Sequence, residues 1–298
     1  MATFEERLVW IFGSSRSGST WLLRMLSDFT GVAPIDDPHL GHHLGVWRPI
    51  PLAWAASTEP APELSHLLEV KAAEPGYFFA ERYRESWWEP LRALIRARFE
   101  AQAGDARGEL ARPTYVVKEP GSQAAPLLAE LFPGSKLIFL LRDVRDVVDS
   151  WLAAHQEGSW AIRGGAFPVS AEGRIALIRW LASVWAYRTR AVLEAYDARA
   201  PGERLMLRYE EMREQPQRSL EEVCALTGLD PAGVADIAFH HRFERLPATS
   251  RGPLREARTA SPGSWRENLS SPEQAAMHEA LGEALSLAGY ERERTAVA

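Results

Sequence analysis
Apolar residues gather in five short, unbroken runs: Leu8–Phe12, Val32–Ile35, Thr114–Lys118, Lys136–Leu141 and Arg204–Arg208, each bounded by Gly, Pro or charge. Unbroken runs of this length suit strands of a parallel sheet covered on both faces. Between them apolar positions recur with a helical period over Thr20–Asp28, Ala124–Leu131, Val144–Ala154, Gly173–Asp197, Arg218–Thr227 and Glu273–Leu287. This alternation predicts an α/β fold with a doubly wound, mainly parallel sheet flanked by helices, and ligands at the carboxyl ends of its strands. Residues 39–112 interrupt the pattern with a Trp- and Pro-rich insertion that ends in a charged helix around Pro90–Gln102. The insertion is read as shaping an acceptor pocket, with simple packing on the sheet as the alternative. Residues 248–268, rich in Arg, Gly, Pro and Ser, read as a mobile loop that brings cations over an anionic ligand. The 298 residues are taken as one domain.

The richest chemistry lies where the first run stops. Gly13-Ser14-Ser15-Arg16-Ser17-Gly18-Ser19-Thr20 runs from a strand into a helix that starts at Thr20. The unpaired N–H groups of such a loop and of the first helical turn converge on one point, and the helix dipole favours negative charge there. Arg16 adds a fixed cation, and Ser17, Ser19 and Thr20 add hydroxyl donors, so a phosphate or a close relative is expected. A nucleoside-triphosphate loop carries Lys before its final Ser or Thr, and here that position is Ser19. A ligand whose transferable end bears less charge than a triphosphate fits better. An ordinary Gly/Ser turn is the bland alternative.

Composition narrows the classes. Net charge is −6, which excludes a general nucleic-acid binder and requires any basic pocket to be local. The single cysteine, Cys224, excludes a disulfide within the chain and a Cys-rich zinc site. His42 and His43 lack helical i, i+4 spacing and a clear third ligand, so no metal is expected. No apolar run reaches the roughly 18 residues of a membrane span, and MATFEERLVW does not read as a signal peptide, so a cytoplasmic location is expected. Eleven tryptophans are many for this length. Trp47, Trp54, Trp87 and Trp88 lie outside the predicted strands, where they either line a pocket or fill a core.

GSSRSGSTWL resembles the 5′-phosphosulfate loop of sulfotransferases that use 3′-phosphoadenosine 5′-phosphosulfate (PAPS). KLIFLLRDVRDVVDSWL, residues 136–152, resembles their second nucleotide element, in which R-D-x-R-D-x-x-x-S follows a strand. The resemblance implies a P-loop nucleotide-binding fold and the roles that follow. Ser15, Arg16, Ser17, Gly18, Ser19, Thr20 and Trp21 form the 5′ cradle. Arg142 and Ser150 hold the 3′-phosphate, Arg as a planar fork and Ser as a neutral donor. Tyr209, in Leu205-Met206-Leu207-Arg208-Tyr209-Glu210-Glu211-Met212, matches a Tyr that contacts adenine. Arg258, in Arg258–Trp265, matches a cation of the loop that closes on the 3′-phosphate, although Thr259, Ala260 and Ser264 depart from that loop. Lys118 matches a Lys that follows the central strand and contacts the bridging oxygen or the sulfuryl group. The general base is placed at Asp37, with Asp36, His39 and Glu119 as rivals; Pro120 stands where cytosolic members carry a His.

The implied reaction moves a sulfuryl group from PAPS to a hydroxyl or amine of a small-molecule, carbohydrate or lipid-linked acceptor and releases adenosine 3′,5′-bisphosphate. Two alternatives stand beside it. In one, Leu137–Asp143 is a magnesium-binding strand end of a metal-dependent nucleotide kinase of related fold. In the other, the chain binds a nucleotide without turnover. Acceptor identity and oligomeric state are not legible from the sequence.

Overall fold
The computed structural model describes residues 2–44, 76, 78–107, 112–166, 168–252, 254–255 and 261–290. The five apolar runs form one parallel sheet: β1 (Leu8–Phe12), β2 (Val32–Asp36), β3 (Thr114–Lys118), β4 (Lys136–Leu141) and β5 (Arg204–Arg208), in the order β2-β3-β1-β4-β5. β1 is central and pairs Ile11 with Lys118 on one side and with Ile138 on the other. The chain leaves β1 toward β2 and leaves β4 toward β5, in opposite directions across the sheet. A crevice therefore opens between the carboxyl ends of β1 and β4, the usual ligand position in open α/β sheets.

Successive residues of β1 point to opposite faces, and both faces are buried. Leu8, Trp10 and Phe12 join a core with Trp87, Leu91, Ile95 and Phe99 of a long insertion helix and with Ile178, Leu181 and Trp185 of the longest C-terminal-half helix. Val9 and Ile11 join a second core with Leu22, Met25, Leu26, Leu220 and Val223. Among the described residues the α-helices are α1 (Ser19–Ser27), α2 (Leu40–His43), α3 (Arg84–Arg107), α4 (Ala125–Leu131), α5 (Val144–Ala154), α6 (Trp160–Arg163), α7 (Arg174–Asp197), α8 (Tyr209–Glu214), α9 (Pro216–Thr227) and α10 (Val234–His240), followed by α11 (Trp265–Asn268), α12 (Ser271–Leu281) and α13 (Ala284–Leu287).

Two expectations need correction. The pattern over Glu273–Leu287 predicts one helix, but the chain breaks between α12 and α13 at Gly282, whose φ of 53° lies in the left-handed region. The charged insertion helix is also longer than Pro90–Gln102, running through Arg84–Arg107. Its apolar face packs on the sheet, and Trp87 is buried there. Trp88 packs at the edge of the same core, with the Arg84 guanidinium 3.8 Å from its ring centroid. Both tryptophans thus serve the core. Trp47 and Trp54, and most of the span expected to shape an acceptor pocket, lie outside the described residues. Among the described residues no helix is long and apolar enough to cross a membrane.

Candidate active site
The loop after β1 is held tightly against its neighbours. Ser122 Oγ accepts the Gly13 N–H at 3.0 Å and donates to the Gly13 carbonyl. A side chain at Gly13 would collide with the Leu140 carbonyl. Gly18, φ 94°, caps α1, and an added Cβ would sit 2.7 Å from the Tyr209 ring. Glycine at both ends is therefore a packing requirement. Arg16, between them, adopts φ 73° without being glycine. A left-handed residue of this kind costs about 1–2 kcal/mol, so the surroundings must hold it.

What holds it comes from far along the chain. Arg142, just past β4, donates from Nη1 to the Arg16 carbonyl at 2.8 Å. Arg16 Nε donates to Ser150 Oγ at 3.1 Å, and its guanidinium lies 5.1 Å from the Trp160 ring centroid. The Arg142 guanidinium stacks over Tyr209 at 4.2 Å. Tyr209 is buried; burial raises its pKa, against the opposing effect of Arg142. Arg142 Nε is buried with no hydrogen-bond partner among the described residues. A charged donor in that state is costly unless a ligand completes it.

These residues line a cleft of about 620 Å³ together with Gly18, Ser19, Thr20 and Trp21. Trp21 Nε1 donates to the His241 carbonyl at 2.8 Å, which fixes the ring. Arg16, Arg24, Arg142, Arg163, Arg213 and Arg255 all face the cleft, and no carboxylate is among its described lining residues. A chain of net charge −6 thus carries a strongly positive cavity, which suits a ligand with several negative charges. Of the expected cradle residues, Ser15 and Ser17 do not line it. The Ser17 side chain is buried, and its hydroxyl has no partner among the described residues. Ser15 instead accepts a 3.5 Å contact from Arg188 Nη1. Arg258 lies outside the described residues.

Lys118 ends β3 beside this cleft. It is buried, and Nζ donates to Thr20 Oγ1 at 2.8 Å and pairs with Asp36 Oδ1 at 2.6 Å and Asp37 Oδ2 at 3.1 Å. Both Asp side chains are about half exposed. Asp37 has φ 47° and His39 φ 53°, so the turn after β2 is strained as Arg16 is. Glu119, the rival base beside Lys118, is buried and used as a tether. Its carboxylate accepts the Gly121 N–H at 2.7 Å and the Leu40 N–H at 2.8 Å. Burial raises its pKa against those two bonds.

The magnesium-site alternative at Asp143 meets a different arrangement. Its carboxylate accepts the Arg145 N–H as a helix cap and takes both Nε and Nη2 of the same guanidinium. That is a capped helix start with an ion pair, which leaves an Arg where a metal would bind. No group of three or more His, Cys, Asp or Glu gathers among the described residues.

Sequence reasoning missed the lining cations Arg24, Arg163 and Arg213 and three further contributors. Arg188, on α7, is buried and donates from Nε to Gln123 Oε1 at 3.0 Å while reaching Ser15. Trp160 supports Arg16, and its N–H donates to the Leu254 carbonyl at 3.0 Å. Asp146 is buried and accepts the Gly263 N–H at 2.8 Å and the Trp265 N–H at 3.5 Å. Burial raises the Asp146 pKa, while the Gly263 N–H and Arg142 act the other way. Of these, only Asp146 left a trace in sequence, as the acidic residue four positions after Arg142 and four before Ser150.

Comparison with known proteins gives the same direction. A model described as the sulfotransferase family matches residues 9–232. No curated protein sequence matches the chain. Among solved structures, mouse sulfotransferase SULT7A1 complexed with PAP superposes with a TM-score of 0.57 at 12% identity, covering 94% of this chain and 85% of that one. Sulfotransferase STF9 from Mycobacterium avium gives 0.53 at 16% identity, covering 99% and 79%. The sulfotransferase domain from the curacin biosynthetic pathway gives 0.51 at 14% identity, covering 96% and 98%. At these identities the superpositions speak for the fold.

Proposed function
This chain belongs to the sulfotransferase family, and we propose that its cleft holds PAPS and passes the sulfuryl group to a hydroxyl or amine of a small-molecule, carbohydrate or lipid-linked acceptor. The product is adenosine 3′,5′-bisphosphate (PAP), the ligand named with the mouse structure. One observation carries the reading. Arg16 and Ser150, 134 positions apart, meet at 3.1 Å in one arginine-lined cleft. The two sequence elements assigned to opposite ends of one nucleotide therefore share a single cavity. The unpartnered Arg142 Nε supports a 3′-phosphate beside Ser150.

The transfer is an in-line displacement at sulfur. Charge grows on the bridging oxygen and the 5′-phosphate, so positioning and electrostatic stabilisation supply most of the rate. The N-terminus of α1, with Ser19 and Thr20, and the Arg16 guanidinium receive the leaving phosphate. Lys118, held by Thr20 at 2.8 Å, stabilises the bridging oxygen from the neighbouring strand. Asp37 accepts the acceptor's proton. It is half exposed and adjacent to Lys118, whereas Glu119 is engaged by backbone N–H groups.

The test is incubation with labelled PAPS or labelled ATP, with and without a chelator, across a panel of hydroxyl and amine acceptors, read by mass shift. Chelator-resistant transfer from PAPS is expected. Magnesium-dependent transfer from ATP with none from PAPS would overturn the proposal. Stabilisation by PAP without turnover on any acceptor would leave a binding protein in its place.

A further inference from the structure
We propose that Asp146 is a positioning residue whose carboxylate latches the segment Gly263–Asn268 onto helix α5 and so sets the grip on the 3′-phosphate. The proposal rests on reading the cleft as a PAP site. It starts from a conflict of charge. In sequence Asp146 stands midway between Arg142 and Ser150, the two residues assigned to the 3′-phosphate, and Arg142 is near enough to act on its carboxylate, so this charge opposes an incoming anion and competes with it for Arg142. Yet it is buried rather than turned to solvent. The structure gives it other work. It accepts the Gly263 N–H at 2.8 Å and the Trp265 N–H at 3.5 Å.

Two neighbouring residues of α5 grip the same segment. The Arg145 guanidinium stacks 4.6 Å from the Trp265 ring centroid, and Asn268 Nδ2 donates to Asp149 Oδ2 at 3.0 Å. The helix that carries Ser150 thus presents three successive contacts to one stretch of chain. Gly263 has φ 85°, a left-handed turn that aims its N–H at the carboxylate. With the carboxylate occupied by backbone donors, the buried Nε of Arg142 has no hydrogen-bond partner among the described residues.

The sign of one measurement separates this from simpler roles. Removing a carboxylate beside a phosphate site would tighten PAP binding on charge alone. Loss of a purely structural contact would weaken PAP and adenosine 5′-phosphate equally. The latch predicts that Asp146→Asn weakens PAP by about tenfold while adenosine 5′-phosphate changes less than about twofold, the loss of one charge-assisted contact. Asn268→Ala, on the same segment, is expected to weaken PAP by about threefold with the same selectivity, and it keeps the test open if Asp146→Asn does not fold. Titration calorimetry with both nucleotides on the full chain gives the ratio. Tighter PAP binding in Asp146→Asn, or equal losses for the two ligands in either variant, would overturn the latch. Failure of the unmodified chain to bind PAP would instead overturn the function proposed above.

Discussion

Replacing Arg142 with alanine separates the two ends of the nucleotide. The side chain makes three contributions, and they bear on different ligands. Its Nη1 holds the Arg16 carbonyl at 2.8 Å, so its loss loosens the 5′ loop whatever the ligand. A neutral-acceptor bond of this kind contributes about 1 kcal/mol net. Its guanidinium rests on Tyr209 at 4.2 Å, which fixes its plane. Its unpartnered Nε is the donor assigned to the 3′-phosphate, and a charge-assisted contact to phosphate contributes about 3 kcal/mol. Adenosine 5′-phosphate senses only the loop, so its Kd rises about fivefold, from about 1 kcal/mol. PAP senses both, so its Kd rises several hundredfold, from about 4 kcal/mol.

The readout is the ratio of the two affinities, measured by calorimetry or by displacement of a fluorescent nucleotide at one salt concentration. Unmodified protein favours PAP, and the variant loses about 100-fold of that preference, equivalent to the roughly 3 kcal/mol phosphate contact. Arg142→Lys recovers charge without the planar fork and falls between. Equal losses for both nucleotides would refute the assignment, because they would leave Arg142 as a loop tether alone.

Asp37→Asn is expected to lower turnover by about 10²–10⁴-fold with PAPS affinity changed less than about threefold, as its amide still meets Lys118; Asp36→Asn loses far less, and steady-state rates with calorimetry compare the two. Arg188→Ala removes the buried partner of Gln123 and lowers unfolding free energy by about 3 kcal/mol, read from urea midpoints at unchanged slope. Cys224 is buried, and burial with Asp230 and Glu221 nearby pushes its thiol up to about 11. At pH 8 only about one thiol in a thousand is ionised, so native protein resists iodoacetamide while urea-unfolded protein is alkylated, as mass spectrometry will report.

The strands were legible as short apolar runs, and β1, β3 and β4 most clearly because they are buried on both faces. Leu8–Phe12 is buried at every position, and its short length with Gly13 at its end favours a strand over a helix. Arg142 and Ser150 could be read together because both lie on one strand–helix unit, but their contacts could not: Ser150 accepts from Arg16 Nε, and Arg142 donates to the Arg16 carbonyl. The parts that escaped are contacts made across the chain. Glu119 beside Lys118 looks like a base in sequence, and only the Leu40 N–H, 79 positions away, identifies it as a tether. Arg188 sits in an amphipathic helix pattern that gives no reason to single out one arginine; its bond to Gln123 spans 65 positions. The break at Gly282 escaped because one glycine inside an apolar period is compatible with a continuous helix. Ser17 was assigned a hydroxyl donor from its place in the motif, but the loop turns that side chain inward.

The two halves of the cleft depend on each other, and the dependence runs through backbone strain. Arg16 sits at φ 73°, a conformation that a free chain abandons for about 1–2 kcal/mol. The bond from Arg142 to its carbonyl offsets that cost from the far strand, and the bond from its own Nε to Ser150 does so from the following helix. Both supports are residues assigned to the 3′ end. On the proposed assignment, a 5′ cradle braced by the residues of the 3′ end would bind a doubly phosphorylated nucleotide with little reorganisation, because each end would find donors already positioned by the other. It follows that a double-mutant cycle between Arg142→Ala and Ser150→Ala reports coupling on adenosine 5′-phosphate as well as on PAP. Two independent half-sites would give additive losses on the smaller ligand.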